Sequence, residues 1–304
     1  MTAYLLATAI FGCLYALFTL GLSVQWGMGG LLNFGHAAFF ALGAYGTALL
    51  SMRGVPPALS VACAVGLAAG VGVLLGLTTL RLRAIYLGLV TLGFSELLRT
   101  FLMNEMWLTG GAVGIPGIPR LFAATGVRHD ALYLALLVAL LLVVYLCVRR
   151  LDRSPFGRVL ASIREDEDVA RSVGKNVFVF KVQALALGAG IAGLGGALFA
   201  HYITFVAPDQ FVTALSLQAW VAVLLGGRGN HLGAVAGAFV LLAIQEGTRL
   251  LKDQIGFLDG EQLAALRILL VGVILVALMI FRPEGVLPRR ARPTRRAPLE
   301  ARHA

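Results

Sequence analysis

Apolar positions dominate this chain in long unbroken runs. Nine of them, at 4–24, 31–51, 58–80, 85–104, 131–149, 179–204, 212–227, 231–250 and 264–281, are separated by short polar stretches. A helix needs about 20 mostly apolar residues to cross the hydrocarbon layer, and each run but one reaches or approaches that length. Ten-residue alternation, the mark of a membrane β-barrel, is absent from the sequence. The pattern predicts an all-α integral membrane protein, a polytopic bundle of about nine transmembrane helices, with eight to ten compatible with the runs. The 212–227 run is short and predicts a broken or re-entrant segment. One membrane-spanning domain is expected over 1–288, and the basic tail 289–304 is expected to be disordered and to touch anionic lipid. The first run lacks a basic lead and a cleavage site, so it is expected to be retained as a span.

The exception to this apolar texture is residues 149–181, RRLDRSPFGRVLASIREDEDVARSVGKNVFVFK. Reversing direction takes only a few residues, so a charged insert of this length predicts a docking surface for a partner. Ser154 and Pro155 suit the cap and first position of a helix. A second helix is expected over 165–173, with acids in its first turn and Gly174 past its end. Ile163, Val169, Ala170 and Val173 would give it an apolar side, and Arg164, Glu165, Glu167 and Asp168 a charged one. The remaining reading is a solvated loop that happens to be charged.

The 304 residues are 59% hydrophobic and 13% charged, with a net charge of +10. The excess charge is not a nucleic-acid footprint, because the cations gather in connecting segments. Arg81, Arg83, the 149–181 cluster, Arg228, Arg282 and the tail all fall on one side of a nine-span topology. That side is cytoplasmic by the positive-inside rule, with the N-terminus outside and the C-terminus inside. Arg53, Arg120, Arg128 and Lys252 fall on the other side, so the bias is strong but incomplete. Cys13, Cys63 and Cys147 stand alone in apolar context, which argues against a disulfide framework or a metal site.

The segment 25–45, QWGMGGLLNFGHAAFFALGAY, carries the densest chemistry within the runs. Its glycines can break a helix, and a half-helix N-terminus offers N–H groups to a carboxylate. Asn33 and His36 would share a helical face around Gly35, forming either a gate facing substrate or a pair that holds the bundle. GGRGNHLG at 226–233 echoes this composition and raises an internal repeat. Glu96 with Arg99, and Glu246 with Arg249, are spaced i,i+3 and are expected to pair, since ionisable groups at membrane depth are costly alone. Glu96 is also a candidate partner for a substrate ammonium. TGGAVGIPGIP at 109–119 predicts a turn-rich ordered loop.

Several segments then resemble one family. GGLLNFGHAAFFALGAYGTALL (29–50), LRLRAIYLGLVTLGFSELLRT (80–100), TGGAVGIPGIP, DRSPFGRVLASIREDEDVARSVGKN (152–176), LGGRGNHLGAVAGAF (225–239) and FRPEGVLP (281–288) are similar to the branched-chain amino-acid permeases of the LivH/LivM type, the second of them to the LivM subgroup. The resemblance implies a permease of the ABC importer type in a bacterial inner membrane. A sister permease, two cytoplasmic ATP-binding subunits and a periplasmic substrate-binding protein would complete it, with ATP and Mg on the ATPases and no cofactor on this chain. It places ATPase coupling on Arg164, Glu165, Asp166, Glu167, Ala170 and Gly174, whose acid–Ala–Gly order matches the coupling-loop pattern without its literal Glu-Ala-Ala. The sequence contains no GxxxxGK[ST] loop, in keeping with ATP hydrolysis elsewhere. A urea or short-amide permease of the same family is the alternative for cargo. A stand-alone secondary transporter would leave the insert unexplained.

Overall fold

The computed structural model describes residues 2–80, 84–122 and 129–254, with scattered positions between 265 and 287. Arg81, Arg83 and Arg128, the tail 289–304, half of the run 264–281, and the side chains of Arg249 and Lys252 lie outside the described residues.

The protein is a bundle of helices. α1 (Thr2–Leu22) runs on through a π-helical turn, Ser23–Met28. α2 (His36–Met52), α3 (Pro57–Thr79) and α4 (Ala84–Asn104) follow. After the one-turn α5 (Met106–Thr109) comes β1 (Ile115–Pro116), then α6 (His129–Arg153). The insert forms α7 (Pro155–Glu165) and α8 (Glu167–Ser172). α9 (Val177–Ile203), β2 (Phe205–Val206), α10 (Thr213–Gly226) and α11 (His231–Gln254) complete the order. Among the described residues, six helices are long and apolar enough to span a membrane, and His36–Met52 and His231–Gly247 are shorter apolar ones.

α9 is the central post, packed against α1, α2 and α3. Small residues make that possible. A Cβ on Gly43 would land on the Gly193 carbonyl, and one on Gly196 on the Phe40 carbonyl, so α2 and α9 touch backbone to backbone. Close approach of this kind replaces the hydrophobic drive that lipid does not supply between helices.

Hydrogen bonds fix the relative directions. The Tyr4 hydroxyl donates to Glu246 at 2.5 Å, while Ser23 Oγ and His231 Nδ1 meet at 2.9 Å. α1 and α11 are therefore antiparallel, and the two ends of the bundle can be told apart. α7, α8, the π-helical turn and the 227–230 turn share one end, called here the insert end. Val286 and Leu287 donate to the Leu225 and Gly226 carbonyls, which brings these two residues to that same end. At the opposite end, β1 pairs antiparallel with β2, so the Gly- and Pro-rich loop is an ordered connection as expected.

Two elements depart from the simple span pattern. The second span begins at His36 rather than near 31, because 29–35 is not helical; Gly30 sits at φ +68° and Gly35 N–H is taken by the Asn33 side chain at 2.9 Å. The seventh is a helix of 14 residues that starts beside Glu96, well within the length of α4, and not beyond α4's end at Asn104. A 3-10 turn, Pro208–Phe211, leads into it. With that turn the segment runs Pro208–Gly226, 19 residues, and is one of the six long and apolar enough to cross a membrane, so the short apolar run is not a truncated span by length.

Candidate functional site

The glycine-rich break after α1 is a densely bonded polar feature inside the bundle. Gln25, in the π-helical turn, is fully buried and donates to the Leu185 carbonyl on α9 at 3.0 Å. Asn33, also fully buried, donates to Gln25 Oε1 at 2.8 Å. The Asn33 carbonyl accepts from Trp220 Nε1 on α10 at 2.8 Å, and Phe34 N–H reaches Thr91 on α4 at 3.1 Å. Buried polar groups must be paired, and here the partners come from α1, α4, α9 and α10. The segment 29–36 is thus a knot to which four helices are tied.

Two expectations change. Asn33 and His36 do not share a helical face, because Asn33 precedes the helix that His36 begins. Two of the α2 N-terminal donors are also taken within the bundle: Ala37 N–H is capped by Ser216 Oγ at 2.8 Å and Ala38 N–H by the Gly35 carbonyl at 3.0 Å. His36 lies fully buried with Nε2 at 3.0 Å from the Phe18 carbonyl and its ring stacked on Phe18. A Cβ on Gly35 would land on the Thr91 carbonyl, so glycine is required there by contact with α4.

Glu96 pairs with Arg99 at 3.0 Å, as its spacing predicts. Its second oxygen accepts from Thr213 Oγ1, in the first turn of α10. An acid suits that end of a helix. Glu96 therefore ties α4 to α10. Glu246 is engaged by Tyr4, and its pairing with Arg249 falls outside the described side chains.

At the insert end, Ser154 caps α7, accepting from Gly157 N–H at 3.4 Å, with Pro155 in the first position. The second helix starts at Glu167, not 165, because the Asp166 carboxylate caps it, accepting from Asp168 N–H at 2.9 Å and Val169 N–H at 3.0 Å. Asp and Ser favour such caps. Gly174, at φ +75°, ends the helix where a residue with a Cβ would be strained.

The expected apolar side divides in two. Ile163 and Ala170 are buried against the bundle, whereas Val169 and Val173 are 58% and 66% exposed. Glu165 and Asp168 stand in solvent beside them. Glu167 instead turns inward, to Lys181 at 2.5 Å and Arg171 at 2.6 Å, and clasps α8 to the first turns of α9. Arg164 also turns inward, and its Nη1 donates to the Gly27 carbonyl at the end of the π-helical turn.

This arrangement has a family. The chain matches, over residues 4–281, the family described as branched-chain amino acid transport system / permease component. It belongs to that family. The high-affinity branched-chain amino acid transport system permease protein LivM of Salmonella typhimurium is 37% identical over 302 residues, covering 90% of this chain and 68% of the relative. The Escherichia coli protein of the same name is 36% identical over 300 residues with the same coverage. The autoinducer 2 import system permease protein LsrC of Photorhabdus laumondii is more distant, 29% identical over 211 residues, covering 67% of this chain and 58% of that protein. No solved structure matches the chain. The protein is thus a polytopic helical membrane permease component.

Sequence reasoning did not single out Gln25, Lys181, Thr213, Ser216 or Trp220, which supply the partners of the residues it did name. A signal for the first two was present: a Gln and a Lys within otherwise apolar runs have to be bonded.

Proposed function

We propose that this chain is the membrane-spanning permease subunit of an ATP-driven importer for branched-chain or related hydrophobic amino acids. The observation that carries this is family membership over residues 4–281, with LivM proteins among the relatives. The α7–α8 ledge supports an ATP-driven mechanism. An exposed Val169–Val173 pair flanked by Glu165 and Asp168 has the makeup of a short helix that seats in a groove of another subunit.

In this reading two cytoplasmic ATP-binding subunits hold the ATP and Mg, and dock where Arg164, Glu165, Asp166, Glu167, Ala170 and Gly174 shape α7 and α8. This chain binds no cofactor. A sister permease completes the membrane part, and a periplasmic binding protein delivers substrate at the end carrying β1 and β2. The insert end carries Arg149, Arg150, Arg153, Arg158, Arg171, Lys175 and Arg228, which supports its placement at the cytoplasmic face of a bacterial inner membrane. The N-terminus is then outside and the C-terminus inside.

The gate is the segment around Asn33, Gly35 and His36, with Glu96 holding α4 to α10 beside it. Alternating access needs an element with two arrangements, and a segment bonded to four helices at once links their movements. The LsrC relatives favour one further reading of the cargo, a different small solute carried by the same machinery.

The test is gentle purification from the native membrane followed by uptake in vesicles. Two ATPases and a second permease should accompany the chain, and ATP should drive uptake of leucine, isoleucine or valine delivered by the binding protein. Uptake of urea or autoinducer 2 in their place would move the cargo assignment. A chain that remains alone and gains no ATPase on adding nucleotide would overturn the importer reading.

A further inference from the structure

Among the cations of the insert, Arg164 is oriented unlike Arg171. Its side chain is 16% exposed, against 62% for Arg171. Its guanidinium donates to the Gly27 carbonyl, 137 residues away in sequence. Its Cγ stands 3.0 Å from where a Cβ on Gly30 would be, so α7 rests directly on the turn that leaves α1.

That turn is tightly accounted for. Gly29, Gly30 and Leu31 N–H groups return to the carbonyls of Val24, Trp26 and Gln25 at 3.4, 3.0 and 3.0 Å. The Gly27 carbonyl takes Arg164. A helix ends with carbonyls that need donors, and a cation there also suits the helix dipole. The Arg228 guanidinium lies 4.9 Å from the Trp26 ring at the same end.

A π-helical turn carries one residue more per hydrogen-bonded ring than an α-turn, and such turns concentrate at functional sites. Passing between the two forms rotates the residues around it. Gln25 lies inside this turn, and its one amide spans to both Asn33 and the Leu185 carbonyl. Whatever holds the end of the turn therefore governs whether Gln25 reaches both partners.

We propose that Arg164 is a positioning residue for the gate: by holding the Gly27 carbonyl, it carries movement of the α7–α8 insert to the buried Gln25–Asn33 hydrogen bond. The inference rests on the reading of α7–α8 as the ATPase-docking insert, and it adds the path by which that insert reaches the membrane core. When the insert shifts, the guanidinium pulls or releases the turn, and the Asn33 knot loosens.

The full chain in lipid nanodiscs tests the link without ATP or substrate. Amide hydrogen exchange is compared for wild type, Arg164→Ala, Arg164→Lys and Arg158→Ala, the last removing an exposed cation of the same helix. Arg164→Ala should speed exchange at 29–31 and 33–35 about tenfold or more, the scale of one lost charge-assisted hydrogen bond. Lysine should restore part of the protection, because it keeps the charge without the planar fork. Arg158→Ala should leave these amides unchanged. Assembled with its ATPases in vesicles, the Arg164→Ala chain should spend about ten times or more ATP per substrate imported, a ratio that a purely structural role would not alter. Unchanged exchange at 29–35 would overturn the proposal, and so would faster exchange spread evenly over the bundle or a wild-type ATP-to-substrate ratio. Absence of ATP-driven uptake in the wild-type assembly would instead count against the importer reading, with the exchange result still deciding whether Arg164 holds the turn.

Discussion

Lys181 and Glu167 form a 2.5 Å ion pair, across 14 residues of sequence, that fastens α8 of the insert to the first turns of α9. The Lys181 side chain is only 16% exposed, so the pair is better shielded than a surface bridge. Glu167 therefore sets the attitude of the docking ledge, and the exposed charges beside Val169 and Val173 are those of Glu165 and Asp168. Glu167→Lys should abolish ATP-dependent uptake while the chain still inserts, because two like charges would face each other at the root of α8. The double variant Glu167→Lys, Lys181→Glu should recover a measurable part of that uptake. A charge on the ledge that served only to meet the ATPase would show no such rescue.

Asn33→Leu should impair transport and leave ATPase association intact. The substitution strands Gln25 Oε1 and the Gly35 N–H in a fully buried place. A buried group left without a partner costs about 1–3 kcal/mol. Uptake and co-purification of the ATPases, measured on the same membranes, check both halves.

Thr213→Val removes the hydroxyl that joins α10 to Glu96 on α4. A hydrogen bond to a charged group contributes about 1.5–3 kcal/mol, so a fall in uptake of roughly tenfold is expected. Thr213→Ser should retain near-normal uptake, since it keeps the donor. Initial uptake rates for the two variants are the measurement.

Gly196→Ala should destabilise the isolated chain by about 1–3 kcal/mol, the usual penalty of overpacking. Its Cβ would meet the Phe40 carbonyl of α2. Gly70→Ala, on a face of α3 with nothing within 4 Å, should be neutral or stabilise by up to about 1 kcal/mol, the helix-propensity gain of alanine over glycine. Denaturant unfolding in a single mild detergent compares them.

Local features were legible in the chain because their causes are local. Run length marked the six helices that, among the described residues, are long and apolar enough to span, since a helix must match the hydrocarbon thickness. Ser154–Pro155 and Gly174 marked the ends of the insert helices, since capping depends on residues a turn apart. The Glu96–Arg99 pair followed from helical spacing alone. Family membership was also written in the segments themselves, from 29–50 to 281–288.

Tertiary structure decided which way the charged and polar groups turn. Nothing near Arg164 in sequence announces the Gly27 carbonyl, 137 residues away, and nothing near Glu96 announces Thr213, 117 residues away. The glycines at 29, 30 and 35 foretold a break, but its bonding to α4 and α10, and through Gln25 to α9, depends on which helices surround it. At the α2 N-terminus, a donor site for an anion by sequence, the Ala37 N–H is taken by Ser216 once α10 packs beside it. The physical reason is common to all four. In a membrane interior the backbone satisfies itself within each helix, so sequence fixes the helices; a buried side-chain group must find its partner on whichever helix lies alongside, and only packing determines which that is.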